Sequence, residues 1–169
     1  MTTIATPLSG PVVVPGSRQR ASAGPVVVAL DDDGNARTLL RHGRHLAARL
    51  RVPLRAAYVW SDCRPPECAH HRRCHRDLGE ACRLLTALID DHLPADAAGQ
   101  VERDVVHAVD PAAALVTLSA SASMLVVGSS SDCPRDSAEL GGTTRRLLGR
   151  TRCPVMVVPR ATGPRNRFW

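Results

Sequence analysis

The residues best able to do chemistry in this chain lie between Ser123 and Pro159, in the run SMLVVGSSSDCPRDSAELGGTTRRLLGRTRCPVMVVP. An apolar stretch from Met124 to Val127 ends at Gly128. A polar loop follows, and Gly141-Gly142-Thr143-Thr144 then opens a short helical pattern. Strand, glycine, loop and glycine-opened helix together turn backbone N–H groups and a helix N-terminus toward a phosphate. The N–H groups of Gly142, Thr143 and Thr144 would face that anion, a threonine hydroxyl would add a donor, and Gly128, Ser129 and Ser131 would form the other lip. A second charged turn, Asp31-Asp32-Asp33, closes the first core strand. Asp132, Asp136 and Glu139 add acid to the loop, while Arg135, Arg145 and Arg146 oppose it. A polyphosphate among so many carboxylates calls for a bridging cation such as Mg²⁺.

Cys63, Cys68, His70, His71, Cys74 and His75 form another cluster. Thiolate and imidazole suit Zn²⁺, but the spacing C-x4-C-x-H-H-x2-C-H lacks paired CxxC knuckles. Arg64, Arg72, Arg73 and Arg76 also repel a cation. The sequence leaves three readings open here: an exposed insertion, a metal site, or a redox-active thiol whose pKa nearby arginines lower. Cys133 lies in the phosphate loop, while Cys82 and Cys153 read as core residues. His42 and His45 fall on the polar face of the first helix. No Ser-His-Asp or Cys-His constellation is apparent, so no catalytic residue is assigned.

The Gly128–Gly142 pattern resembles the carboxyl-terminal signature of the universal stress protein family, G-x2-G-x9-G-S/T. Gly128 and Gly141 stand at the family's separation. Ser131 replaces the middle glycine and Gly142 takes the Ser/Thr place; serine adopts positive φ less readily than glycine. The similarity spans roughly Pro25 to Arg160. It implies a five-stranded parallel sheet in the order 3-2-1-4-5, with helices on both faces, as in adenine nucleotide alpha hydrolase-like proteins. It also implies ATP as ligand, with Asp31 on the nucleoside side, Val59 near the base, and Gly128–Ser131 and Gly141–Thr144 around the phosphates. The same resemblance implies a regulatory, non-enzymatic stress-response module acting on unidentified protein partners. It further implies a homodimer formed through the last strand, Val155–Val158. A nucleotide-free interaction protein of the same fold is the alternative, supported by Ser131, Gly142 and the added acids. The run VVALDDDGNARTLL, from Val27 to Leu40, also resembles a response-regulator receiver domain, but that family needs a lysine after its fourth strand.

Composition narrows the classes. The chain has 169 residues, enough for one domain with a sizeable core. Its formal net charge is +6, and all 22 basic residues are arginine. Without lysine, a Walker-type P-loop, a Schiff-base enzyme and a kinase built on a catalytic lysine are excluded. Four aromatic residues, Tyr58, Trp60, Phe168 and Trp169, argue against base-stacking nucleic-acid readers. The basic excess sits late, since Arg145 to Arg167 hold no acid; a solvated helix face and a basic tail account for it. No segment reaches the roughly 20 apolar residues of a membrane span, and the first residues lack a signal-peptide pattern. A cytoplasmic location with reduced cysteines is expected.

The elements that must hold these residues alternate. Val26–Leu30 is a wholly apolar run. Ala36, Leu39, Leu40, Leu46, Ala47 and Leu50 recur at helical spacing, and Leu54–Trp60 is a second strand. Leu78, Ala81, Cys82, Leu85, Leu88 and Ile89 line a second helix, which ends at Asp90-Asp91-His92. Residues 101–109 read as a third strand, and a third helix runs from Asp110-Pro111 to about Ala122. Strands alternating with helices make a parallel α/β sheet. Such sheets bind ligands beyond the carboxyl ends of their strands, where the order reverses. The domain is placed at residues 25–160, between an N-terminal tail (1–24) and a basic C-terminal tail (161–169). Within that first tail Gly10-Pro11-Val12-Val13-Val14 echoes Gly24-Pro25-Val26-Val27-Val28, so an added edge strand is the alternative to disorder.

Overall fold

A computed structural model describes residues 10–17, 23–62, 74–129 and 140–160 of the chain. Eleven elements run in the order β1 (Val12–Val14), β2 (Val26–Leu30), α1 (Ala36–Leu50), β3 (Leu54–Trp60), α2 (Leu78–Asp90), α3 (Ala95–Ala98), β4 (Glu102–His107), α4 (Pro111–Leu118), β5 (Met124–Gly128), α5 (Gly142–Leu147) and β6 (Val155–Val158). They build one six-stranded sheet in the order β1-β6-β5-β2-β3-β4. The five strands from β2 onward are parallel and follow the expected 3-2-1-4-5 succession. The expectation of an all-parallel, five-stranded sheet is nevertheless corrected. β1, in the segment read as a tail, pairs antiparallel with β6 and makes the sheet mixed. Its valines give β-branched strand character, and the β6 edge offers the unpaired backbone groups that a lone tripeptide lacks.

Central strands are buried on both faces, which explains their unbroken apolar composition. One core layer joins Val26, Val28, Tyr58 and Trp60 to α1 and α2, and the other joins Val27, Val59, Leu125 and Val157 to α4 and α5. The sheet's far edge is managed differently. β4 carries Glu102, Arg103 and Asp104, and Glu102 accepts from Arg55 across the β3–β4 pair at 2.8 Å. Charge on an edge strand discourages further pairing.

Helix α1 buries Ala36, Leu39, Leu40, Gly43 and Ala47. Leu50, expected on that stripe, is the last residue of α1 and is exposed. Helix α2 buries Ala81, Leu85 and Ile89. Cys82, read as core, is exposed; one residue further round the helix, it points about 100° away from the Ala81 stripe. Cys153 is buried as expected. The third helix stops at Leu118, short of Ala122. Ser119 ends it by donating its hydroxyl to the Val116 carbonyl at 2.6 Å, a local bond that competes with helix propagation.

Asp110 ties two elements together. Its carboxylate caps α4 by accepting from Ala112 N at 3.0 Å and Ala113 N at 3.3 Å. Both its oxygens also take the Arg146 guanidinium of α5, at 3.0 and 2.5 Å. Hydrogen bonding from Arg146, aided by the two backbone N–H groups, holds this carboxyl below the usual carboxylate range. A depressed native pKa contributes stability above the unfolded value of about 3.9, and that contribution is lost as pH falls through the native value.

Two predictions follow from this packing. At Gly43 an added Cβ would stand 2.2 Å from Val28 Cγ2 and 3.1 Å from Leu54 Cδ1. Gly43→Ala should therefore cost about 1–3 kcal/mol through overpacking, despite alanine's better helix propensity; urea denaturation measures this. Asp110→Asn keeps a capping oxygen but loses the charge pair, so at pH 7 it should cost no more than about 1 kcal/mol, with a salt-dependent deficit. Urea midpoints across pH should show the gap to wild type closing as Asp110 protonates below pH 4.

Candidate functional site

β2 lies between β3 and β5. The chain leaves β2 toward β3 on one side and returns to β5 on the other. Helix connections therefore diverge above the β2 and β5 carboxyl ends, and a crevice opens there. The register Val28↔Val126 brings Leu30 level with Gly128. The early acidic turn and the late glycine turn thus meet. The crevice holds a cavity of about 100 Å³ that opens to solvent. Its walls come from six elements and their ends: Ala29–Asp31 and Asp33, Leu39, Ala57 and Val59, Pro111 and Leu115, and Val127–Gly128 facing Gly141–Thr144.

The floor is built by side-chain size. Ala29 and Ala57 are direct register partners on neighbouring strands, and Val59 follows on the same face of β3. Side chains alternate along β3, so Tyr58 and Trp60 point into the opposite layer. Two adjacent alanines leave room where larger residues would fill the sheet surface. Sequence reading missed this pair, although the small residues at Ala29, Ala56 and Ala57 inside otherwise bulky strands were a usable signal.

The phosphate-type wall is the start of α5. Gly141 is the N-cap and has no side chain to satisfy the helix's first amides. Its own N–H donates to Ser129 O at 2.7 Å, and Ser129 N donates to Val158 O at 2.8 Å. The first intrahelical bond runs from Arg145 N to Gly141 O. The N–H groups of Gly142, Thr143 and Thr144 therefore have no acceptor within the helix, and all three residues line the crevice. The Thr144 hydroxyl, expected as a further anion donor, is instead given to the Gly128 carbonyl at 2.7 Å. That bond fastens the first turn of α5 to the end of β5. Thr143 is left as the hydroxyl of this turn. Ser129 bridges β6 and Gly141 through its backbone and is not part of the crevice wall. Ser131 lies outside the described residues, as do Arg135, Asp132, Cys133, Asp136 and Glu139.

Charge is distributed unevenly around the crevice. Asp31 accepts from Asp32 N at 2.9 Å, and Asp33 accepts from Asn35 N at 3.0 Å, so the acidic turn is partly organised by its own backbone. Asp31 and Asp33 both reach the crevice. Arg160, just beyond β6, donates to the Asp33 carbonyl. Of the arginines weighed against these acids, Arg146 is engaged by Asp110, and Arg145 donates to Leu140 O at 3.1 Å. Among the described residues, the start of α5 is the wall of the crevice that offers donors without an acceptor in the helix.

Of the Cys/His cluster, Cys74 and His75 are described; Cys63, Cys68, His70 and His71 are not. Cys74 bridges to Ser61 just past β3. His75 turns inward, with Nε2 2.8 Å from the Tyr58 hydroxyl and its ring packed edge-on to Tyr58. His107 stacks near Trp60 and meets Asp62 Oδ1 at 3.1 Å. Among the described residues no three His, Cys, Asp or Glu side chains converge as a metal site would require. Nor, among them, is any helix long and apolar enough to cross a membrane.

Residues 23–159 match the family model described as the universal stress protein family. Solved structures share the fold. One is the universal stress protein UspA from Lactobacillus plantarum, 16% identical, with a TM-score of 0.54 over 82% of this chain and 99% of that one. A universal stress protein in complex with cAMP is 22% identical, with a TM-score of 0.56 over 84% of this chain and 100% of that one. The universal stress protein from Archaeoglobus fulgidus in complex with dAMP is 21% identical, with a TM-score of 0.51 over 80% and 97%. No curated protein matches the chain. With the family model extending from the start of β2 to the end of β6, around the crevice and its glycine turn, the chain belongs to the universal stress protein family.

Proposed function

We propose that this protein is a regulatory module that binds an adenine nucleotide, ATP with Mg²⁺, in the crevice over β2 and β5. The observation that carries the reading is the pairing of two chemically different walls in one hollow. The N–H groups of Gly142–Thr144, without an acceptor within their helix, stand on one side, and the alanine floor of Ala29 and Ala57 lies beside Val59 on the other. Unsatisfied helix-start amides attract a phosphate. A flat, small-residue floor suits an aromatic base. The cAMP and dAMP complexes of two structural neighbours support the same ligand class. The enclosed volume of about 100 Å³ is below the 300–1,000 Å³ usual for such ligands. A nucleotide would therefore extend from this cavity toward solvent, with Asp31 on its nucleoside side. Mg²⁺ would neutralise phosphate charge beside Asp31 and Asp33.

A non-enzymatic role fits the groups at hand. Asp31 and Asp33 each accept a backbone N–H of their own turn, and His75 and His107 belong to the ring cluster around Tyr58 and Trp60. Bound nucleotide would then act by favouring one arrangement of the crevice lips and of the surface they offer to protein partners in the cytoplasm. A second reading, a nucleotide-free interaction module, is favoured by one observation: Gly142 supplies no hydroxyl where the family motif has Ser or Thr.

Calorimetric titration with Mg-ATP and with AMP separates the two. Nucleotide binding predicts saturable heat for the wild type. Ala29→Leu, which fills the floor, should weaken it at least about 10-fold while the circular dichroism spectrum is retained. Gly142 has open space where a Cβ would stand, so Gly142→Ser should fold normally and tighten binding about 5-fold through one added hydrogen bond. Absence of heat at millimolar ligand in both wild type and Gly142→Ser would establish the nucleotide-free reading.

A further inference from the structure

A second concave surface lies on the outer side of α1 and shares no lining residue with the crevice. Leu39, Leu40, Gly43 and Ala47 are buried on the inner side of that helix. Arg37, Arg41 and Arg44 are exposed. Their spacings of four and three align them along roughly 10 Å of one face. Ala48 continues the line as a small residue, and His45 flanks it. The facing wall is the turn after α2. His92 N and Leu93 N both donate to Ile89 O, at 3.2 and 3.0 Å, which holds the two residues opposite the arginines. Between helix and turn runs a groove of about 430 Å³, open to solvent.

The charge of this groove is one-sided. Among the described residues, none of the three guanidinium groups has a hydrogen bond or ion pair, and no carboxylate lines the groove. Asp90, at the end of α2, is taken by Arg103 at 3.2 Å, and Asp91 is outside the lining. Helix stability does not call for these arginines. No acid occurs from Ala36 to Leu50, and Arg37 sits in the first turn, where the macrodipole disfavours a cation. Arg41 stands four residues from Arg37 and three from Arg44, spacings at which like charges destabilise a helix. Burial first, and then the Arg41 and His45 charges, hold the neighbouring His42 below the usual imidazole range. The apolar face of α1 thus holds together a row of cations whose repulsion a bound anion would relieve.

The lining narrows the class of anion. A docked protein helix needs apolar anchors at three- and four-residue spacing, and this groove offers only Ala48 and Leu93. A duplex major groove admits a single helix, whereas the wall at His92 and Leu93 stands beside the arginine row and obstructs such entry. Arginine presents a planar fork of donors that matches phosphate oxygens. We propose that the α1 groove binds a small anion carrying two or more linked phosphates, held by Arg37, Arg41 and Arg44 with His45 and His92 at its flanks. Three unpaired cations in line complement the repeated charge of such an anion. This inference is independent of what occupies the crevice.

The test is calorimetry of the full chain with magnesium-free inorganic tripolyphosphate at constant ionic strength. Wild type should give saturable binding. Arg41→Gln should weaken it about 10-fold, and Arg41→Gln combined with Arg44→Gln at least about 50-fold. Arg49→Gln removes the same charge from the same helix at an exposed position outside the groove. It should change affinity less than about 2-fold. Circular dichroism reports retention of the α/β fold in each variant. Amide shifts of the labelled protein should move between Arg37 and Ala48 and at His92. Absence of saturable binding at millimolar tripolyphosphate overturns the proposal, as do equal losses in Arg41→Gln and Arg49→Gln. Shifts confined to Gly142–Thr144 overturn it by assigning the anion to the crevice. Tighter binding of duplex DNA or of polyglutamate than of tripolyphosphate also overturns it, since the groove would then serve a macromolecule.

Discussion

The parallel pairing of β2 with both β3 and β5 is the constraint on which the molecule depends. Because the chain departs from β2 on one side and returns on the other, helices α1 and α4 cannot both close over the carboxyl end of β2. The gap is topological, and side chains only decide what it holds. Leu30 and Gly128 end level within it, which brings an acidic turn and a helix start from opposite ends of the sequence to one place.

Around that gap the structure uses local bonds to hold a short helix in position. α5 has six residues and too few turns to be stable alone. Thr144 fastens its first turn to Gly128, Arg146 ties its last turn to the cap of α4, and Leu147 is fully buried beneath it. With those three contacts in place, the amides of Gly142 to Thr144 are presented with little freedom to rearrange. Such preorganisation matters more for anion binding than a strong macrodipole, which so short a helix lacks. The two threonines illustrate a division that residue type alone does not reveal: one hydroxyl is structural, the other remains at the crevice.

Much of this was legible from residue order because the relevant signals are local and periodic. The apolar run of β2, the three-four spacing of α1, and the paired glycines each report on their own backbone. What was not legible depended on partners distant in sequence. The echo of Gly24–Val28 in Gly10–Val14 left an edge strand open as the alternative to disorder, but the partner that decides it, β6, lies more than 140 positions later. Cys82 looks like a core residue by type, yet the helix phase set by Ala81, Leu85 and Ile89 turns it outward. The role of Arg146 could not be read from charge, since its partner Asp110 lies 36 positions earlier. His75 was grouped with cysteines by proximity, whereas its ring finds the Tyr58 hydroxyl on the far layer of the sheet.

The central claim is that the crevice over β2 and β5 receives a nucleotide by its phosphate at the start of α5 and by its base on the alanine floor. Amide chemical shifts of the isotopically labelled protein during titration with AMP test this most directly. The account predicts the largest shifts at the Gly142, Thr143 and Thr144 amides, with smaller ones at Ala29, Asp31 and Val59. Shifts confined to the arginine-rich outer face of α1, or an unperturbed Gly142–Thr144 turn at saturating ligand, would contradict it.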